Sequence, residues 1–592
     1  QFNPKKEASV VLPRHVIKGR MDTRLGALVI EYKRPSLLKT QQQMEVALKQ
    51  LEGYITSLSA ESDSPFVGIL TNGLLIVERR AVRGAIVERA VAEPLSGDSL
   101  RRLTQHVISL ALTALTPANL IRDFCGSTEH GAVFCMARIL DKILASRQHP
   151  KTAMLRSEWE ALFQLSHNDR SQQRKIRDRK EALASLFGTT ITENDSASEY
   201  RTLFALHTAY AILLKFIAYR TVSDIYLGSP TQDFKSLASA DSDSLRVFCA
   251  DLEDGAIFRS LGILNLLEGD FFSWYSDEQQ WDSLLAASIQ QLMATLAKYE
   301  EAKNIFTSED VPDLFRELYQ ATVPKAVRSS FGEVYTPYWL AEHVLESTGQ
   351  TDDWRVLDPC CGSGTFVVAA ITKVRKESGG ALAATVRNDV LSRVCAIDLH
   401  PLAVLTTRIQ YFIHISPFLE DDHDEFVIPV YLGDASAVPE RVVIGGVKCI
   451  RYELKTTKTP IDCALPESLV RDTAKFAKLM YEYEHRIKEQ DRQGAIKLLG
   501  ESIADSEYNS EIGEAIARLT DCLITLERNG WNGIWARILS NFLTTACIGK
   551  FTAVVGNPPW IDWKNLPPSY KARIKQTVVE PELFSGAGRT GG

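Results

Sequence analysis

The chain of 592 residues carries 67 Lys and Arg against 74 Asp and Glu, a net charge of −7, with 45% hydrophobic and 24% charged residues. At roughly 150 residues per unit it has room for about four units, and its composition excludes a disordered, collagen-like or small disulfide-stapled chain. No apolar run reaches the ~18 residues of a membrane span; Lys215 breaks the stretch Ala211–Ala218, and the opening residues lack the pattern of a signal peptide. The acidic total gives no whole-chain attraction to nucleic acid, but charge is unevenly placed. Residues 1–50 hold ten Lys and Arg against four acids, and a second basic run, RSQQRKIRDRK, spans Arg170–Lys180. Local patches of this kind attract phosphates whatever the net charge. The ten cysteines include no Cys-x-x-Cys pair, so the reading is a reduced, cytoplasmic protein without a cysteine metal site.

Three regimes follow in chain order. From about 8 to 95, short apolar strands surround one helix through Gln41–Leu58, and Asn72-Gly73 between two apolar runs predicts a hairpin. From about 98 to 325 the periodicity is helical, as in Leu103–Leu115, His130–Ala145, Glu158–Leu165, Tyr200–Tyr219 and Leu284–Tyr299. From about 330 onward strands and helices alternate, which predicts a doubly wound parallel sheet. Long charged helices over about 464–545 read as an insertion in it. The chain starts on Gln1 rather than Met and ends FSGAGRTGG without a closing element. Both ends are therefore expected to be cut from a longer protein.

The segment HVIKGRMDTRLGALVIEYKRP carries a first constellation. On a strand Ala27–Lys33 side chains alternate, so Glu31 and Lys33 share a face. Asp22 ends the preceding strand, and a Thr23–Gly26 turn folds it back to the same edge. Asp22 and Glu31 would hold Mg²⁺, and Lys33 would orient or activate water. Gln50 and Tyr54, at i and i+4, share one face of the following helix. The arrangement resembles the PD-(D/E)xK nucleases of the RecB-like branch, as in type I and type IIG restriction enzymes. By that resemblance Glu7 would be an additional upstream acid.

The second constellation lies at successive strand tips. WRVLDPCCGSGTF places Asp358 at the end of a strand and Gly362-Ser363-Gly364 in the turn that follows, and ligands bind in the crevice outside such tips. The missing third glycine of the dinucleotide fingerprint argues against NAD. AIDLHPLA puts Asp398 at the next tip, VYLGDA ends a third strand at Asp434, and FTAVVGNPPW ends a fourth at Asn557-Pro558-Pro559-Trp560. These motifs in this order, with FGEVYTPYW upstream, resemble the γ-class N6-adenine DNA methyltransferases. The resemblance implies that Tyr335, Thr336 and Pro337 line the methionine end of S-adenosylmethionine. Asp358, Gly362 and Gly364 would hold its amino-acid moiety, Asp398 its ribose and Asp434 its adenine.

The chemistry of the loop fits that assignment. An exocyclic adenine amine is a poor nucleophile, because its lone pair is delocalised into the ring. The Asn557 carboxamide oxygen and the Pro558 carbonyl would accept its two N–H groups and localise the lone pair. Trp560, where the family more often has Tyr or Phe, would stack on a base flipped from the duplex. Lys564, Lys571, Arg573 and Lys575 lie near enough in sequence to contact phosphates.

The expected fold is thus a multidomain α/β chain. It comprises a PD-(D/E)xK nuclease-like domain (1–97), a helical connector (98–325) and a Rossmann-like methyltransferase domain (326–592). The last is expected to lack its C-terminal part and a target recognition domain. The expected function is restriction–modification in phage defence, on double-stranded DNA, with S-adenosylmethionine and Mg²⁺ as cofactors and further defence-system subunits as partners. The alternatives left open are a methyltransferase subunit with an inactive nuclease-like domain and a non-catalytic S-adenosylmethionine-sensing subunit. Methylation of cytosine N4 or of a protein glutamine would use similar loop chemistry.

Overall fold

The computed structural model describes residues 5–6, 9–11, 18–20, 22–25, 27–60, 66–100, 103, 115–126, 130–147, 149–165, 173–225, 234–268, 271–299, 313–330, 332–348, 354–379, 381–419, 425–530, 534–560, 566 and 568–574. The chain forms two compact units, Gln1–Asn119 with Lys298–Ile305, and Leu120–Ala297 with Phe306–Gly592.

In the first unit the strands are β1 (Lys5–Lys6), β2 (Ser9–Val11), β3 (Lys18–Arg20), β4 (Thr23–Leu25), β5 (Leu28–Tyr32), β6 (Phe66–Thr71), β7 (Leu75–Val82), β8 (Ala85–Arg89) and β9 (Glu93–Pro94). A mixed sheet runs β1-β4-β5-β6-β7-β8, with β9 on β7, and β2 pairs β3 separately. Among the described residues of this unit, β5 and β6 are the one parallel pair. Parallel strands need a crossover, and helix α1 (Gln41–Ala60) supplies it. The pleat of β5 divides its side chains. Val29 joins Leu51, Tyr54 and Ile55 of α1 in one core, while Leu28 and Ile30 join Val67, Ile69 and Ile76 on the opposite face. Gly68 on β6 admits α1 closely, since a Cβ there would lie 2.9 Å from Leu51 Cγ. The Asn72-Gly73 hairpin forms between β6 and β7. Gly73 takes φ +84°, and Asn72 Oδ1 accepts the N–H groups of Leu74 and Leu75.

The Thr23–Gly26 turn is corrected by the structure. Thr23–Leu25 is itself a strand, paired antiparallel with β5 in the register Thr23↔Ile30 and Leu25↔Leu28. Asp22 therefore lies directly before β4, with β3 ending at Arg20.

The second unit is built around helix α2 (Ser196–Ile225), buried from Leu203 to Tyr219. By length and composition alone it would pass as a membrane span, the one such helix among the described residues, but its apolar stretch is buried inside the protein. Its Lys215 is buried against Glu253, Nζ to Oε2 2.5 Å. Strands β10 (Val356–Asp358), β11 (Val394–Asp398), β12 (Val430–Leu432) and β16 (Ala553–Val554) form a parallel sheet in the order β12-β11-β10-β16. Helices α3 (Thr365–Glu377) and α4 (Pro401–Ile415) follow β10 and β11. All four strands point the same way, so Asp358, Asp398, Asp434 and Asn557 arrive at one edge.

The insertion expected over about 464–545 is helical in its described elements from Glu467 to Thr545. An antiparallel sheet of β13 (Glu440–Ile444), β14 (Val447–Leu454) and β15 (Ile461–Pro466) precedes its helices. Gly445 and Gly446, with φ +55° and +83°, turn the β13–β14 hairpin, a conformation that favours glycine. The last insertion helix, α5 (Trp535–Thr545), returns the chain to β16.

Candidate active site

The strand tips of the second unit enclose a cavity of about 650 Å³. Tyr335, Thr336, Asp358, Gly362, Asp398, Asp434, Asn557 and Pro558 all line it. Three anticipated residues do not. Pro337 caps the helix Tyr338–Ser347. Gly364 caps α3 at φ +91° and lets Thr407 approach, since a Cβ there would lie 3.1 Å from its Oγ1. Trp560 stands at 73% exposure.

Backbone donors hold the carboxylates in place. Asp398 accepts from Gly362 N–H (2.9 Å) and His400 N–H (2.8 Å), and Asp358 accepts from Cys360 N–H. Asp434 accepts from the Ser436 N–H and hydroxyl at 2.9 and 2.6 Å. Burial disfavours the charged forms of Asp358 and Asp398. It lifts the Asp358 carboxyl to about 8, with the nearby Asp398 adding to the rise and the Cys360 N–H opposing it. Asp398 is raised for the same first reason.

Glu333 also lines the cavity, and the sequence reading did not single it out. Burial raises its carboxyl to about 7, although the Tyr319 hydroxyl donates to it. Its signal was adjacency: it stands two residues before Tyr335 in FGEVYTP. Cys360 also faces this space, its thiol pushed up to about 12 by burial and the two aspartates, so it is no thiolate nucleophile.

A cationic nucleoside cofactor fits this lining on three counts. The carboxylates supply acceptors. The buried Ser363 hydroxyl has no hydrogen-bond partner among the described residues. A Cβ at Gly362, whose φ is +55°, would meet no protein atom within 4 Å, so the backbone is bare where a ligand would press against it.

At the lip, Asn557 Nδ2 donates to the Val334 carbonyl (2.8 Å). Trp560 donates twice, from Nε1 to Asn557 Oδ1 (2.9 Å) and from its backbone N–H to the Gly332 carbonyl (3.1 Å).

In the first unit, Asp22 stands directly before β4, which pairs antiparallel with the strand that carries Glu31, and Asp22 Oδ2 accepts the Tyr32 N–H at 2.7 Å. Glu31 is 1% exposed. Its Oε1 accepts from Lys33 Nζ at 2.5 Å, and its Oε2 is buried with no hydrogen-bond partner among the described residues. Burial raises its carboxyl, opposed by Lys33 and reinforced by Asp22. An orphaned buried carboxylate oxygen beside a second acid suits a divalent cation. No group of three or more His, Cys, Asp or Glu able to hold a metal occurs among the described residues, and Glu7 lies outside them. Gln50 Nε2 donates to Tyr54 Oη at 2.7 Å.

The basic run is only partly available to phosphates. Arg179 and Lys180 are buried and paired with Glu199, whereas Arg174, Lys175 and Arg177 are exposed. Residues 170–172, Lys564 and Lys575 lie outside the described residues, and Lys571 and Arg573 belong to the helix Pro568–Ile574.

Residues 310–390 match the family model for N-6 DNA Methylase. That segment, which is similar to this family, holds Glu333, Tyr335, Asp358 and Gly362. No curated protein matches the chain. Among solved structures it is similar to the DrdV–DNA complex, at 13% identity and a TM-score of 0.25, over 74% of this chain and 36% of that one. It is also similar to a nuclease-deletion mutant of the Type ISP restriction-modification enzyme LlaGI with a DNA substrate mimic (12%, TM-score 0.27, 57% and 23%). A third is the type IIG restriction endonuclease BpuSI (13%, TM-score 0.22, 72% and 39%). The chain thus spans well under half the length of each.

Proposed function

We propose that this chain is a restriction–modification DNA methyltransferase that acts on the N6 amine of adenine, of the γ-class by its motif order. One observation carries the reading: the Asn557-Pro558-Pro559-Trp560 loop lies at the lip of the cavity whose wall holds Asp358, Asp398 and Asp434. When bound, S-adenosylmethionine supplies a methyl group on a positively charged sulfur. Asp358 and Glu333 offer carboxylates to the cationic methionine end, Asp398 accepts from the ribose hydroxyls, and Asp434 accepts from the adenine amine. Asn557 Oδ1 and the Pro558 carbonyl accept the two N–H groups of the target amine, so its lone pair is directed at the methyl carbon. Pro559 contributes no backbone donor that would compete. The amine nitrogen gains the methyl group and gives up one proton to solvent, while the exposed Trp560 ring stacks on the flipped base.

The test is transfer of labelled methyl to unmethylated double-stranded DNA, followed by digestion to nucleosides. Label in N6-methyladenine is expected; label in cytosine or in no base overturns the reading. Asn557→Ala should lower transfer at least ~100-fold, the scale of losing a preorganised hydrogen-bonding group, with S-adenosylmethionine affinity unchanged by calorimetry. Full transfer in that variant would remove Asn557 from the role of accepting the target amine, and a wild type that binds S-adenosylmethionine but labels no base would favour a cofactor-sensing role.

The orphaned Glu31 oxygen favours a second activity, Mg²⁺-dependent DNA cleavage by the first unit in the manner of PD-(D/E)xK nucleases. Asp22 and Glu31 would hold the ion, which would stabilise charge on the scissile phosphate, and Lys33 would orient the attacking water. DNA is the shared substrate, and further defence-system subunits are candidate partners.

A further inference from the structure

A carboxamide has two ends of nearly the same shape, and only its neighbours decide which end is oxygen. At Asn557 the two neighbours are unambiguous. The Val334 carbonyl can only accept, so it requires the NH₂ end, and it lies 2.8 Å from Nδ2. The Trp560 indole N–H can only donate, so it requires the oxygen end, and it lies 2.9 Å from Oδ1. A third bond, from the Trp560 backbone N–H to the Gly332 carbonyl at 3.1 Å, ties the far end of the loop to the same short segment. That segment runs on into Tyr335 and Thr336 of the cavity wall.

We infer that the Trp560 indole N–H is a positioning group that fixes the carboxamide of Asn557 with its oxygen toward the substrate amine, an office separate from stacking on the base. The inference rests on the methyltransferase reading and deepens it. An amide oxygen has two acceptor sites. One is filled by the indole N–H, and the other stays open for an N–H of the target amine. With the indole bond gone, the amide is held by Val334 alone and is freer to turn. A turned amide presents NH₂ to the substrate amine, donor against donor, and cannot localise the lone pair. A ring without an N–H at position 560 would stack equally well and leave this orientation unset. The cost is that an aromatic ring at 73% exposure stays anchored to the loop even when no base lies on it.

The experiment separates the two roles of the ring in the full chain. Trp560→Phe keeps a stacking face and removes the N–H; 3-benzothienylalanine at the same position keeps the whole bicyclic face and replaces the N–H by sulfur. Both should lower kcat about three- to tenfold, the range for one neutral hydrogen bond. KM for DNA and the fluorescence of a flipped 2-aminopurine at the target should stay within about twofold for the benzothienyl protein. Unchanged kcat in the benzothienyl protein, or a change confined to KM for DNA, overturns the inference. A second measurement needs no turnover. In ¹⁵N-tryptophan-labelled protein, the indole resonance of Trp560 is assigned as the one that Trp560→Phe removes. That resonance should be shifted downfield, be protected from solvent exchange despite the ring's exposure, and lose both properties in Asn557→Leu. A fast-exchanging resonance indifferent to Asn557→Leu overturns the inference even in a protein that methylates adenine. Failure of the wild type to label adenine would instead strike the methyltransferase reading.

Discussion

Asp358 and Glu333 share one cavity with carboxyls raised to about 8 and about 7, so without its cofactor the site holds protons at neutral pH. A cationic cofactor favours the ionised forms, and its binding must expel those protons. S-Adenosylmethionine affinity should therefore rise with pH between about 6 and 8 and level off above, because deprotonation is then already complete. Calorimetry in two buffers of different ionisation enthalpy would show proton release at pH 7, and Asp358→Asn would remove the upper part of the rise. The stability sign is opposite. A carboxyl raised above its unfolded value contributes stability at low pH that is lost as pH rises through the folded value. The cofactor-free protein should thus lose stability as pH climbs toward about 8, the Asp358 value. Glu31 gives the second prediction at this scale. Its carboxyl is raised chiefly by burial, so the charge is a cost to the fold at neutral pH. Mg²⁺ bound to the folded state should stabilise the wild type; Glu31→Gln should leave the melting temperature equal or higher, yet abolish that stabilisation. A Glu31→Gln protein that still gains stability from Mg²⁺ would remove this residue from the metal site.

At the scale of elements, α1 depends on a glycine. A Cβ at Gly68 would come within 2.9 Å of Leu51 Cγ and 3.1 Å of Ile55 Cγ2, closer than packed side chains tolerate. Gly68→Ala should destabilise the first unit by about 1–3 kcal/mol, the usual cost of overpacking, readable as a lower thermal midpoint. The sequence made α1, the Asn72-Gly73 hairpin and the parallel strands legible, because each has a strong local signal: long helical periodicity, a turn dipeptide, apolar runs ending in a polar residue. Thr23–Leu25 was not legible as a strand, since three residues show no alternation and its pairing with β5 supplies the structure. The β13–β14 hairpin was missed although Gly445-Gly446 separates two apolar-rich runs; the charged helices after it dominate the reading of that stretch. In the cavity, the aspartates were legible because Asp358 and Asp398 end strands and Asp434 follows one closely. The Val334 partner of Asn557 was not, because it lies 223 residues away.

The same limit governs the second unit as a whole. Arg537 of α5 is buried and paired with Glu484 and with Asp254, and Arg408 of α4 pairs with Glu268 while donating to Asn541 Oδ1. Asn541 Oδ1 in turn accepts the Leu432 N–H of β12, two residues before Asp434. The insertion is thereby bonded into the sheet edge that forms the cavity. Arg537→Met would strand two carboxylates, and a broken buried pair costs about 3–5 kcal/mol, so a large fall in thermal midpoint is expected.

The two constellations stand in different compact units, so the chemistry of each should fail separately. Lys33→Ala removes the ammonium that Glu31 Oε1 accepts from, and Asn557→Ala removes the proposed acceptor for the target amine. The first should abolish Mg²⁺-dependent cutting and leave adenine methylation unchanged. The second should do the reverse on DNA that is already unmethylated, because cutting needs no methyl transfer to the target. Both rates are measured on one preparation of each variant, so a general folding defect would show as equal loss of both. Equal loss in Lys33→Ala, in a protein whose thermal midpoint is unchanged, would mean that a single site serves both reactions and would sink the assignment of two.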